Sequence, residues 1–250
     1  MSGEVAVTPG QVTLVELCRP ENNSLDLDLV AELADAFDEL AATDTRAVVL
    51  ASRGKHFSAG ANLARREGLI AGGRHIYDEA LRLYAQPIPI VAAVQGAAVG
   101  AGLGLALLAD FRVASPESRF AANFAQLGFH PGFGISATLP RLVGPQAAAD
   151  LLLTGRRIGG DEALCLGLVD EVRPADQLRG AATKRAEMIA SSAPLAVRSI
   201  RQTLRGGLVE QVRAALVRER AEQDRLMRTD DFREGVAAGS ERRPGIFRNS

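Results

Sequence analysis

Cysteine, lysine and, over two long stretches, acidic residues are what this sequence has little of. Its 2 cysteines, Cys18 and Cys165, form neither a Cys-x-x-Cys pair nor a metal-ligand spacing. That excludes a disulfide framework and a zinc site, and reads as two buried thiols in a reducing compartment. Lys55 and Lys184 are the only lysines, so positive charge is almost all arginine and any phosphate contact favours the planar bidentate kind. No Asp or Glu lies between Glu79 and Asp110, and none between Glu117 and Asp150. Excess charge of one sign is lacking too: 29 basic against 30 acidic residues gives no footprint for nucleic acid or anionic lipid. The opening MSGEVAVTPG lacks the basic-then-apolar pattern of a secretory signal, so a cytoplasmic protein is expected.

The 250 residues suffice for one sizeable α/β domain with a helical appendage. Val12–Leu17 and Ala47–Ala51 read as strands, with an amphipathic helix over Asp28–Ala41 between them, where Leu29, Leu33, Phe37 and Leu40 repeat at helical spacing. This β-α-β unit predicts a parallel sheet with right-handed crossovers. A helix over Tyr77–Ala85 ends at Pro87 and Pro89, before a strand at Ile90–Val94; Phe111–Ala114 and Leu168–Val172 read as shorter strands. Ile88–Ala109 carries no charge over 22 residues, enough to span a bilayer, but Pro89, Gln95 and 4 glycines interrupt it. A buried strand, a loop and a buried helix account for it better. From Ala175 onward the pattern is helical, with Val209, Val212 and Leu216 on one face, and the domain boundary is placed there.

Two segments stand out: GKHFSAGANL at Gly54–Leu63 and AAVQGAAVGAGLGLALLAD at Ala92–Asp110. In each an apolar run breaks into small residues, where a backbone can approach a ligand closely, and two such turns can aim two N–H groups at one carbonyl oxygen. Dinucleotide binding at Gly100-x-Gly102 fails because Leu105 stands where the fingerprint needs a small residue. A hydrolase nucleophile at Ser58 fails because His56 replaces the glycine of the elbow.

Taken together the motifs resemble the crotonase superfamily, the enoyl-CoA hydratase/isomerase family. The resemblance runs through Arg19–Pro20, FSAGANL at Phe57–Leu63, AAVQGAAVGAG at Ala92–Gly102, PGFG at Pro131–Gly134, LPRLVG at Leu139–Gly144, LTG at Leu153–Gly155, GLV at Gly167–Val169, TDDFREG at Thr229–Gly235 and RRPGIF at Arg242–Phe247. It implies an α/β fold: a ββα spiral core over 1–174 that binds acyl-CoA, and a helical region over 175–250 that assembles trimers or dimers of trimers. Coenzyme A enters as part of the substrate, with no separate cofactor. The resemblance assigns the two carbonyl-polarising amides to Ala61 and Ala101, with Ala59, Gly60, Asn62, Leu63 and Gly100 around the thioester. Arg65, Arg66, Arg243 and Phe247 are the candidates for the phosphates and adenine of CoA; for each arginine taken alone a surface ion pair is the favoured reading.

The chain departs from the family where its hydratases carry two glutamates: those positions fall on Gly104 and Phe124, and the aspartate of isomerases falls on Gly132. All three lie in the acid-free windows, so ordinary hydration is not the expectation. His130 is the titratable group nearby, a candidate proton donor or base, or else a loop histidine bonded to backbone. His56 reads as lying at a strand end, His75 as part of a solvated segment, and Glu67 as a solvated charge that can lean over the pocket. Gly104, with Phe124, Phe129 and Phe133, predicts a dry site with room for a bulky acyl group. Two readings stay open: an enzyme that stabilises a thioester enolate, performing decarboxylation, a double-bond shift or carbon–carbon cleavage, and an acyl-CoA-binding protein without catalysis. A bound water or small anion in place of a carboxylate is a variant of the first.

Overall fold

The computed structural model describes residues 3–20, 22–61, 69–71 and 73–250; Asn62, Leu63, Arg65, Arg66 and Glu67, named above, lie outside the described residues. The chain starts with an antiparallel pair, β1 (Val5–Thr8) and β2 (Val12–Leu17), which the apolar pattern predicts only in its second half. Helix α1 (Leu27–Ala41) follows, capped by Asp26, whose side chain accepts from the Leu29 amide at 3.0 Å, and it buries Leu29, Leu33, Phe37 and Leu40 as its spacing predicts. Next come β3 (Ala47–Ser52), the short pair β4 (Ile70–Ala71) and β5 (Arg74–His75), and α2 (Ile76–Tyr84).

The uncharged run from Ile88 resolves into β6 (Ile90–Val94), β7 (Ala97–Val99) and α3 (Ala101–Leu107). Among the described residues no helix is long and apolar enough to cross a membrane. The chain continues through β8 (Phe111–Ala114), β9 (Arg119–Ala121), α4 (Ile135–Thr154), β10 (Arg157–Gly159), α5 (Gly160–Cys165) and β11 (Glu171–Val172). Four helices close it: α6 (Leu178–Ala190), α7 (Pro194–Leu204), α8 (Leu208–Leu226) and α9 (Asp230–Glu241).

The main sheet runs β1-β2-β3-β6-β8-β11, parallel throughout except for β1. Every residue of β3 and β6 is buried, because both faces of the sheet are covered. With the strand period of two, Val48, Leu50, Ile90, Ala92 and Val94 face the main core beside α1 and α3, while Val49, Ala51, Val91 and Ala93 face Ala182 and Ala186 of α6. A second, three-stranded sheet, β10-β9-β7, stands apart from the first. The chain leaves β6 for it through Gly96, at φ +57°, where a Cβ would lie 2.2 Å from the Lys55 carbonyl oxygen; only glycine fits.

Three local expectations are corrected. The strand expected over Leu168–Val172 shortens to Glu171–Val172, since the Leu168 carbonyl is taken by the buried Arg112 guanidinium at 2.7 Å and the Arg112 amide donates to Asp170 at 2.7 Å. His75 is buried, not solvated: it caps α2, its Nδ1 accepting from the Tyr77 amide at 3.1 Å while its own amide donates to Asp78 at 2.8 Å. Cys18 is half-buried and Cys165 exposed, the latter standing off the buried face of α5 formed by Gly160 and Ala163.

Candidate functional site

The two small-residue segments meet. Ser58 bridges Ala98 in parallel, the Ser58 amide donating to the Ala97 carbonyl at 2.9 Å and the Val99 amide to the Ser58 carbonyl at 3.1 Å. The contact is too close for side chains: a Cβ on Gly60, which has φ +92°, would lie 2.6 Å from the Val99 oxygen, and one on Gly102 would lie 2.3 Å from the Ser58 oxygen. Leu25 bridges Ala61 in parallel, its amide donating to the Gly60 carbonyl at 3.0 Å. Such a bridge engages the peptides flanking Ala61, so the Ala61 N–H faces the opposite side. Ala101 opens α3, where a first-turn amide has no acceptor within the helix.

Asn23 clamps the first turn, and nothing in its sequence context announces it. It is fully buried at φ +45°, and its side-chain nitrogen donates to the Arg53 and His56 carbonyls at 2.8 and 2.7 Å. Its carbonyl accepts from the Ser58 hydroxyl at 2.8 Å, and that hydroxyl accepts from the Gly60 amide at 3.2 Å. Ser58 is thereby committed to structure. His56 is part of the same frame: its Nδ1 accepts from the Ala97 amide at 3.2 Å, and burial together with the neighbouring Lys55 and Arg119 charges holds its pKa below the usual histidine value.

Ala61 and Ala101 line one cavity of about 110 Å³, together with Ala59, Gly60, Gly100, Phe124 and Phe133. Phe129 joins the same wall, and no described residue of that wall carries a charge. Gly104 does not reach it. A Cβ there would sit 2.8 Å from the Phe133 Cβ, so the space expected above Gly104 is filled by the Phe133 ring, and the expected room for a bulky acyl group is not present on that side. His130 does not line the cavity either: it is half-buried, with its ring Nδ1 against the Pro131 carbonyl at 2.9 Å.

What the cavity holds instead comes from far along the chain. Tyr77 of α2 donates its hydroxyl to the Gln223 Oε1 of α8 at 2.5 Å, and Gln223 Nε2 donates to the His130 carbonyl at 2.9 Å. A Cβ on Gly132 would lie 2.0 Å from the Tyr77 oxygen and 2.6 Å from Gln223 Nε2, so position 132 is closed to any side chain. Burial, reinforced by the charge of Glu219, pushes the Tyr77 phenol well above the usual tyrosine range, which keeps it protonated. Glu219 itself is fully buried and held by three donors, the Gly134 and Ser136 amides at 2.8 and 3.0 Å and the Ser136 hydroxyl at 2.6 Å.

Ala59 and Val99 also border a wider cleft of about 860 Å³ on their other side, lined by Lys55, Arg119, Arg157 and Arg179 with Glu117 and Asp176. Arg179 is paired with Glu16 at 2.6 Å, whereas Lys55, Arg119 and Arg157 form no ion pair with a described residue. Arg243 and Phe247 line neither space: Arg243 pairs with Glu234 and Glu241, and Phe247 is exposed.

The profile of the family described as Enoyl-CoA hydratase/isomerase matches residues 8–250. The chain belongs to this family. It is 35% identical to the 2,3-dehydroadipyl-CoA hydratase of Escherichia coli K12, over 99% of this chain and 99% of that one. It is 33% identical to the short-chain-enoyl-CoA hydratase of Clostridium acetobutylicum, covering 94% and 93%. The crystal structure of an enoyl-CoA hydratase/isomerase from Pseudoalteromonas atlantica T6c superposes with a TM-score of 0.90 at 34% identity, covering 98% of this chain and all of that one. Membership of the enoyl-CoA hydratase/isomerase family, and with it the crotonase-like α/β fold, is as the motifs imply. Within this family member the turn after Phe57 and the start of α3 line one cavity, while Gly104 and His130 stand back from it and Tyr77 and Gln223 enter it.

Proposed function

We propose that this protein binds an acyl-CoA thioester with its carbonyl between the Ala61 and Ala101 amides and stabilises the enolate that forms when a bond at Cα is made or broken. The observation that carries this is the shared wall: both residues border one small cavity whose described lining is otherwise apolar or neutral, where a pair of N–H donors acts on developing negative charge without competition from bulk water. The phosphorylated half of CoA lies in the cleft beyond Ala59 and Val99, where Lys55, Arg119 and Arg157 are free of described ion pairs. Arg243, engaged by two carboxylates, is a weaker candidate for that role than its place near the C-terminus suggested.

The same uncharged wall favours reactions that need one proton relay over hydration by two carboxylates, and it keeps alive a second reading, an acyl-CoA-binding protein with little turnover. Glu219 is no substitute base, since both its oxygens are occupied by donors. The exposed apolar side chains of α6 and α7, Met188, Leu195, Ile200 and Leu204, support assembly into a homo-oligomer through the C-terminal helices. A cytoplasmic location is part of the same proposal.

Calorimetric titration with a short and a long acyl-CoA, followed by assay of the same samples for loss of the 2-enoyl thioester absorbance, tests it. Binding with turnover is the expected result, and absence of binding by either thioester overturns the proposal. His130→Ala separates the two readings further: with its ring held on the Pro131 carbonyl, we expect less than a threefold change in turnover. A loss of a hundredfold or more with affinity kept would return His130 to the chemistry.

A further inference from the structure

Helix α2 places Ile76 and Tyr77 on the cavity wall, and its N-cap is a histidine. The usual caps are asparagine, aspartate, serine and threonine, none of which changes protonation near neutral pH. Histidine does. The His75 Nδ1 accepts from the Tyr77 amide at 3.1 Å, a first-turn N–H with no acceptor inside the helix, while the His75 amide donates to the Asp78 carboxylate at 2.8 Å. The first of these bonds needs a lone pair on Nδ1, so the ring is neutral with its hydrogen on Nε2. The same ring packs edge-on against the Tyr77 ring, with centroids 4.5 Å apart. Tyr77 is therefore gripped by His75 at its amide and its ring, and by Gln223 at its hydroxyl.

Resting on the acyl-CoA reading above, we infer that His75 is a positioning residue for the cavity: its neutral ring holds Tyr77 in the ligand-binding position, its protonated ring does not, and acyl-CoA binding is coupled to loss of a proton from His75. His75 lines neither the cavity nor the cleft, so it acts through Tyr77. A proton on Nδ1 would face the Tyr77 N–H, two donors in contact, and the cap has to open. That frees the first turn of α2 and with it the phenol, part of the wall of a cavity of only about 110 Å³. The ring is buried, and the charges that act on it are Asp78 of its own helix and Arg220 and Asp224 of α8; Arg74, beside it in β5, is engaged by Glu79. Burial and Arg220 hold the ring below the usual histidine pKa against the pull of the two aspartates. The cap is thus intact at neutral pH and is lost as pH falls below about 6.5. A ligand that requires the capped form lowers the His75 pKa further and releases a proton as it binds.

The test is calorimetric titration of the full-length protein with butyryl-CoA from about pH 7.5 to about pH 5, at each pH in two buffers of different ionisation enthalpy, which counts the protons released. The wild type is expected to bind with constant affinity at the upper end and to weaken by up to about tenfold per pH unit below the His75 pKa, with release approaching one proton. His75→Ala, uncapped at every pH, is expected to bind about fivefold more weakly at neutral pH, and His75→Asn, which offers the same amide an uncharged oxygen, to rescue that loss without restoring the slope. His56 and the phosphates of CoA titrate in all three proteins, so the difference between profiles belongs to His75. Superimposable profiles and equal proton counts in wild type and His75→Asn overturn the inference. The chain has 3 histidines, which allows a check on the wild type alone by NMR. The His75 pKa should fall when butyryl-CoA saturates the protein, and an unchanged value overturns the inference even where a variant does not fold. Binding without this coupling leaves the acyl-CoA reading standing, whereas failure to bind at every pH overturns both.

Discussion

Ala101→Pro is expected to lower turnover of a 2-enoyl-CoA by about 10²–10³-fold while the protein melts within about 3 °C of wild type. Proline deletes one hydrogen atom from the proposed carbonyl-binding pair, and the position is one of the few that tolerates it. Ala101 is the first residue of α3, where the missing N–H costs no helical hydrogen bond and the fixed φ of proline suits the helix. The residue before a proline normally loses conformational freedom through a clash at its Cβ, but Gly100, at φ 54° and ψ −124°, has none. Ala101→Gly is the control: it keeps the amide and is expected to retain most of the turnover. The measurement is the decay of the enoyl thioester absorbance, with butyryl-CoA affinity determined on the same preparations. Unchanged turnover in Ala101→Pro removes this amide from the mechanism. Loss of turnover matched by an equal loss of saturated-ligand binding assigns it to ground-state binding only.

Gly60, Gly96 and Gly102 explain why so much of this arrangement is legible in the chain. Each marks a place where two backbones touch, and the small residues of the two segments therefore predict their own meeting. The same holds for β3 and β6, whose uninterrupted apolar residues imply a sheet covered on both faces. What local pattern does not carry is the partner that arrives from elsewhere. Asn23 is one asparagine in a turn until its nitrogen is seen to hold two carbonyls 30 and 33 residues away. Tyr77 reads as a helix residue, and Gln223 as a polar position on an amphipathic helix; only folding makes them neighbours. Gly104 shows the opposite error, because deleting a side chain from the sequence does not create a void when a ring from another element, Phe133, moves in to fill it. The second sheet escapes for a simpler reason: β7, β9 and β10 have 3 residues each, too few for a period of two to show.

Glu219→Ala is expected to destabilise the fold by about 3–5 kcal/mol, a fall in melting temperature of roughly 6–20 °C for a chain of this size, measurable by thermal scanning and by urea titration. The two acid-free windows are free of acid only in sequence, since α8 delivers this carboxylate to the segment that begins α4. There it accepts three hydrogen bonds, from the Gly134 and Ser136 amides and the Ser136 hydroxyl, in a site closed to water. The arrangement is held where the backbone needs it. Phe133 and Gly134 are both left-handed, at φ 60° and 75°, a conformation that costs about 1–2 kcal/mol for the phenylalanine and persists because its surroundings fix it. A carboxylate at the start of a helix, bonded to its free amides, is a favourable way to supply that restraint. Removing it strands two buried N–H groups and leaves a cavity; Glu219→Gln, which keeps the shape and one acceptor, should lose less, about 1–3 kcal/mol. Gln223 lies four residues further along α8, on the same face as Glu219. Loosening the first therefore displaces the second from Tyr77, so Glu219→Ala should also lower the affinity for butyryl-CoA, measured by calorimetry. Full butyryl-CoA affinity in a protein that melts well below wild type would show that Glu219 supports the fold alone.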